Sequence, residues 1–304
     1  MKPVYAVFVP VGPNVNRDFV ADTIESALHF MGRDTLVFVG NDSGSEAMNT
    51  LSELGPNVVV KQVERIKGVG TGHSVQGSFF LKKTTLFKSL VKEYAFDRLL
   101  SLDDDALVLN AKFIDVAERL FAERRRAGIL GRYTLDHEYH PLAFESQLEQ
   151  MRTQISRNPF REPKMVRPLV QPRLRKVMRP LMLQAVANGY VMGTTFIGGS
   201  CLFSRGCLEK ILDHPASGAL ELIHSPSCDD DLLTVFCYAA GYRVYDLLHE
   251  PTIFHIDWRQ LTTSPTELDA MGASIIHSVR DPKYGGESAI REFFRAKRTG
   301  VSHA

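Results

Sequence analysis

Residues 99–110, Leu-Leu-Ser-Leu-Asp-Asp-Asp-Ala-Leu-Val-Leu-Asn, place the tightest constraint on how this chain folds. An apolar run of strand length stops at three consecutive carboxylates, Asp103, Asp104 and Asp105. Like charges side by side repel, and an unpaired carboxylate is costly to bury. The strand must therefore end where the carboxylates meet water or positive charge. The run is either a solvated turn or helix N-cap, where Asp is favoured, or a hard-cation site built from carboxylate oxygens. A cap needs one Asp, not three at the end of an apolar strand, and this favours the cation site.

The segments before the acidic run set its place. Residues 5–9 are β-branched and aromatic, bounded by Pro3 and by Pro10-Val11-Gly12-Pro13-Asn14, and read as a central strand. Residues 18–31 carry apolar side chains at helical spacing with Gly32 as a stop. Residues 35–39 form a second strand closed by Gly40-Asn41-Asp42, residues 46–54 a short helix and residues 58–63 a third strand. A helix over 78–94 and a fourth strand over 97–102 follow. This alternation predicts an α/β fold with a Rossmann-like, mostly parallel central sheet and helices on both faces. Ligands of such sheets bind at the carboxyl ends of the strands, which puts Pro10, Gly12, Asp42 and the three aspartates on one rim.

At 304 residues and 44% apolar composition the chain can bury a large core. Its 36 Lys and Arg balance 35 Asp and Glu, so global charge points to no nucleic-acid partner. Cys201, Cys207, Cys228 and Cys237 form no C-x-x-C pair and read as reduced, buried thiols. The N-terminal residues do not read as a signal peptide, no apolar run reaches membrane-spanning length, and a cytoplasmic location is expected.

Further along, Lys67-Gly68-Val69-Gly70-Thr71-Gly72-His73 is either a phosphate cradle or a flexible connector. Residues 112–126 read as an amphipathic helix and 128–130 as a short strand. His137-Glu138-Tyr139-His140 lacks a third nearby ligand and fits solvated loop histidines better than a metal site. Residues 157–179 hold eight Lys and Arg against Glu162 alone, together with several prolines. This composition predicts an insertion over about 157–184 that does not pack as a core element. It is either an ordinary solvated loop or a grip for an anionic substrate or an anionic membrane surface, to which the chain would bind peripherally. Gly198-Gly199-Ser200 interrupts an apolar run over 190–203, as at a bulge or a close backbone approach. Asp229-Asp230-Asp231 opens a helix, where carboxylates serve equally as caps. His255 sits inside the apolar Thr-Ile-Phe-His-Ile-Asp-Trp, and from Ser264 the chain is helical with a basic end.

These pieces, in this order, resemble a GT-A glycosyltransferase, most nearly the family 2 type that uses nucleoside-diphosphate sugars. The strand ending in Asp103-Asp104-Asp105 resembles the D-x-D motif, Gly198 to Arg205 the segment before the acceptor site, and Asp229-Asp230 the E-D pair, with Asp229 in place of Glu. The resemblance implies a GT-A domain over 1–260 and a C-terminal helical extension over 261–304. It implies transfer of a sugar from a nucleoside-diphosphate donor to a hydroxyl of a glycan, lipid-linked or small-molecule acceptor. It implies Mn2+ or Mg2+ held by Asp103, Asp105 and His255. Pro10, Gly12, Asp42, Lys83, Asp103, Asp104, Gly198 and Gly199 would meet the donor, and Asp230, with Asp229 beside it, would be the general base of an inverting reaction. A sugar-nucleotide pyrophosphorylase lacks support because its glycine-rich basic signature is missing after the first strand. A non-catalytic sugar-nucleotide binding module would keep the acidic run and lose the base.

Overall fold

Five aliphatic or aromatic residues in a row, Tyr5 to Val9, and Val11 after Pro10 are buried in a strand that has neighbours on both edges. The computed structural model describes residues 4–13, 15–64, 76–133, 145–155, 171–247 and 253–300. The first half runs β1 (Tyr5–Val11), α1 (Arg17–Met31), β2 (Leu36–Asn41), β3 (Val58–Gln62), α2 (Gly77–Glu93), β4 (Arg98–Leu102), β5 (Leu107–Val108), α3 (Lys112–Glu123) and β6 (Ala127–Arg132). The second runs α4 (Glu145–Ile155), α5 (Gln171–Ala187), β7 (Ile197–Ser204), α6 (Arg205–Asp213), α7 (Asp229–Ala239), β8 (Arg243–Asp246), β9 (Phe254–Ile256), α8 (Pro265–Met271), β10 (Ile275–His277) and α9 (Gly286–Thr299). The expected short helix at 46–54 is a 3-10 helix.

The main sheet has the order β3-β2-β1-β4-β7-β6-β8. β1 lies parallel to β2 and β4, while β7 runs antiparallel to both β4 and β6. That reversal matters for the site. Leu102 pairs with Ser200, so Gly199 and Gly198 fall just beyond the end of β4, and Asp103 donates its N–H to the Gly199 carbonyl at 2.9 Å. The pairing of β7 with β6 slips between Leu130 and Arg132, the irregularity that the paired glycines foretell.

A second sheet, β5-β10-β9, stands at the same rim. Its register with β5 places Ile275 opposite Val108 and Ile276 opposite Leu107, which brings His277 alongside the acidic run. Residues beyond 260 are therefore helical only in part, and the strand among them builds the rim. α9 packs on α1 through a buried ion cluster. Arg291 and Asp22 are each 1% exposed and meet at 3.2 Å, and Arg295 and Arg298 reach the other Asp22 oxygen at 3.1 and 2.7 Å. Arg291 also donates to the Asp104 carbonyl at 2.6 Å, and Thr23 donates to the same oxygen at 3.0 Å.

The basic segment departs from expectation. Its described part is α5, whose Leu174, Met178, Leu181, Met182 and Ala185 are buried at helical spacing. Average composition hid this period, because the cations share the opposite face. The rest of the segment, with the glycine-rich loop at 67–73 and His137 to His140, lies outside the described residues. The four cysteines are unbridged. Among the described residues no helix is long and apolar enough to cross a membrane.

Breaking a buried pair leaves an uncompensated charge, so Asp22→Ala is expected to lower unfolding stability by about 3 kcal/mol. Asp18→Ala, whose side chain is 82% exposed, should change it by less than about 0.5 kcal/mol. Urea denaturation of the two variants measures the difference.

Candidate functional site

The carboxyl ends of β1, β2 and β4 and the start of α2 surround a cavity of about 220 Å³. Pro10, Gly12, Asp42, Lys83, Asp103, Asp104 and Asp229, all singled out in the sequence, line it. Phe79 and Lys82, which sequence reasoning missed, line it too. Lys82 pairs with one oxygen of Asp42, and the other, Oδ1, is buried with no hydrogen-bond partner among the described residues. A buried acceptor left open in a cavity wall suits the N–H edge of a nucleotide base.

On the other wall Lys83, from α2, pairs with Asp229 at the first turn of α7. Burial would lower the Lys83 pKa, but Asp229, Asp230 and Asp103 outweigh it and hold the ammonium charged well above the ordinary lysine range. Asp230 is under opposite pressure. Burial, and then the charge of Asp229, push its carboxyl well above the usual value, with Lys83 partly offsetting them. The two adjacent aspartates thus differ: Asp229 is tied to a cation, and Asp230 has the raised proton affinity.

The glycines of β7 make room for side chains. A β-carbon on Gly198 would stand 2.2 Å from Oδ2 of Asp230, and one on Gly199 2.3 Å from Nδ1 of His277. Gly199 also has φ +104°, which residues with a side chain rarely adopt. The close approach expected at this pair is made by site residues of the chain itself.

The three aspartates separate as their backbone dictates. Asp105 is 6% exposed. Its oxygens meet His277 Nε2 at 3.0 Å and the Ser278 hydroxyl, and its carbonyl accepts from Val279 N–H at 3.0 Å. Burial would raise the Asp105 pKa, but His277, Ser278 and Arg280 hold it well below the usual carboxylate range. Asp104 turns to Arg280 at 2.6 Å, and burial with the charges of Asp105, Asp103 and Glu287 pushes its pKa up to about 6 despite that partner. Asp103 lies 4.0 Å from His277 Nε2 and faces the cavity.

His277, not His255, is the histidine at the acidic run. In β9 and β10, Ile276 pairs with His255 and His277 with Ile256, so the two rings stand one register position apart. Side chains alternate faces along a strand. His255 consequently turns to Thr262, 2.8 Å from its Nδ1, in a separate cavity with Thr263, Glu267 and Met271. The ring of His277 is oriented by its contact with the Asp257 carbonyl at 2.6 Å. A carbonyl only accepts, so Nδ1 carries the proton and Nε2 points to the acids. Burial lowers the His277 pKa, but Asp105 and Asp103 win and raise it above the ordinary value. The signal for His277 was the short apolar run Ile275-Ile276 ahead of it, a strand too brief to separate from the surrounding helical pattern.

Ligand atoms of Asp103, Asp105 and His277 fall within 4.8 Å of one another. Two carboxylates and an imidazole with its second nitrogen anchored suit Mn2+ or Mg2+. Cys228, Asp229 and Asp230 cluster as closely, but the Lys83 ammonium already occupies that charge.

No protein-family model matches the chain, and no curated protein does. Among solved structures it is similar to galactosyltransferase LgtC in complex with donor and acceptor sugar analogs. Identity is 14%, coverage 98% of this chain and 97% of that chain, and the TM-score 0.51. An active-site mutant of LgtC matches at 12% identity over 98% of this chain and 96% of that chain, with TM-score 0.51. The mannosyltransferase PcManGT from Pyrobaculum calidifontis, in complex with GDP-Man and Mn2+, matches at 15% identity over 81% of this chain and TM-score 0.42. The chain spans 55% of that protein's length. With its seven-stranded, mostly parallel sheet and the acidic run at the end of β4, this chain has the fold of the GT-A glycosyltransferases.

Proposed function

We propose that the chain is a hexosyltransferase-type glycosyltransferase that moves a sugar from a nucleoside diphosphate to an acceptor hydroxyl. One observation carries this: Asp42, Lys83, Asp103 and Asp229 share one cavity wall to wall, with Asp105, His277 and Asp230 packed directly behind it. Asp103, Asp105 and His277 would hold a divalent cation, which supplies Lewis acidity for the charge on the departing diphosphate. Asp42 would accept from the base of the nucleotide, and Pro10 and Gly12 would lie beneath it. Gly198 and Gly199 set the depth of the donor end by letting Asp230 and His277 approach.

Asp230 is the general base that we assign. Its raised proton affinity suits removal of a hydroxyl proton, whereas Asp229 spends its charge on Lys83. An Asp230 base that acts on the side of the sugar opposite the leaving group would make the transfer inverting, in line with the family 2 resemblance. A sugar-bearing acceptor fits the reading, since LgtC was solved with an acceptor sugar analog.

Binding to the folded state raises its melting temperature. One nucleoside diphosphate in a panel is therefore expected to stabilise the protein, and more with Mn2+ than without. His277→Ala should lose the Mn2+-dependent part, because it removes a direct ligand of the cation, while His255→Ala keeps it. No shift with any nucleotide would contradict the proposal, and so would an unchanged Mn2+ response in His277→Ala.

Asp230→Asn should lower the transfer rate by about 10²- to 10⁴-fold without a matching loss of donor binding. The ionised carboxylate is the active form, so the rate should fall as pH drops through the raised pKa of Asp230. Lys83 lowers that pKa, so in Lys83→Met the acid limb of the rate profile should move to higher pH. A limb that stays in place would contradict the assignment.

A further inference from the structure

The exposed face of α5 is divided lengthwise. Arg173, Lys176 and Arg179 are exposed on its first half, and Leu183 and Val186 are 62% and 44% exposed on its second. Val191, 66% exposed, follows the turn just past the helix. The spacings 173, 176, 179, 183, 186 step by three or four residues, so these side chains line one side of the helix. The face runs over 14 residues, about 20 Å at the rise of an α-helix. The opposite side, Leu174 to Ala185, is locked into the core, and Gln184 and Asn188 tie the helix end to the Ala239 carbonyl at 2.9 and 3.3 Å. The helix is thus a fixed part of the fold, held through its inner side and its C-terminal end.

That face carries three cations and no acid, on a chain whose formal charge is only +1. Three large aliphatic side chains in water are an exposed patch of the kind that marks an interaction surface. Cations together with aliphatic side chains, on a helix anchored by its other side, complement a surface that offers dispersed negative charge above an apolar interior. A soluble acidic partner would use the cations and leave Leu183, Val186 and Val191 in water.

We infer that α5 is the docking face for an anionic lipid bilayer. Arg173, Lys176 and Arg179 contact lipid phosphates, and Leu183, Val186 and Val191 enter the headgroup boundary. The helix lies along the surface and does not span it. This surface does not depend on the transferase reading, because no residue of the donor cavity belongs to it.

Vesicle co-sedimentation of the full chain, without donor or metal, tests the inference. Phosphatidylcholine vesicles containing phosphatidylglycerol should bind the protein, pure phosphatidylcholine vesicles should not, and raised salt should release it. Arg173→Glu, Lys176→Glu and Arg179→Glu together should weaken binding at least about tenfold. Leu183→Ser with Val186→Ser should weaken it while leaving all three cations in place. If the charge-reversed protein does not fold, judged by its circular dichroism melt, the triple Gln variant serves in its place and should also lose affinity. Failure to bind anionic vesicles would overturn the inference. Equal binding by the charge variants would do so as well, as would full binding by the Leu183→Ser, Val186→Ser protein. Binding to soluble polyglutamate but not to vesicles would assign the face to an acidic protein instead.

Discussion

Five carboxylates, Asp103, Asp104, Asp105, Asp229 and Asp230, crowd the carboxyl ends of the parallel strands, and the surrounding structure is arranged to keep them there. Each repels the others, and burial sharpens the repulsion because the low local dielectric screens little of it. Cations from distant parts of the chain answer this charge. Lys83 comes from α2, and His277 and Arg280 from the segment around β10. The backbone of the run is pinned as well. Gly199 accepts from Asp103, Thr23 and Arg291 donate to Asp104, and Val279 donates to Asp105. A site so constrained holds its carboxylates in place before any ligand arrives, which is the condition for binding a small cation or a diphosphate without reorganising first.

The C-terminal residues give that arrangement its rigidity. Arg291 is buried between Asp22 and the Asp104 carbonyl, so α9 braces α1 and the acidic turn at once. β10 does the same for His277 by pairing with β5, the strand that directly follows the aspartates. The segment beyond residue 260 thus shares the rim with the residues before it.

The alternation of strands and helices in the first half and the acidic rim were legible because their signals are local. Apolar runs, glycine stops and three adjacent aspartates each declare themselves within a dozen residues. Asp230 and the paired glycines were legible separately, but their contact was not, since it depends on β7 running against β4. The choice of histidine was lost for a sharper reason. His255 lies within one short apolar run and His277 ends another on the neighbouring strand, and one position of register decides which faces Asp105. Register is set by pairing between β5 and β10, more than 160 residues apart, and no short window carries it. α5 was misjudged because a basic, proline-bearing composition masks a helix whose buried side is wholly apolar.

In the proposed reaction the acidic rim binds a divalent cation through Asp105 and His277. Anomalous scattering from crystals grown with Mn2+ and a nucleoside diphosphate locates that ion directly. The account predicts a peak within coordination distance of Asp105 and His277 Nε2, with Asp103 beside it. A peak at His255, or an acidic rim that stays empty while Arg280 and Lys83 alone hold the diphosphate, would contradict it.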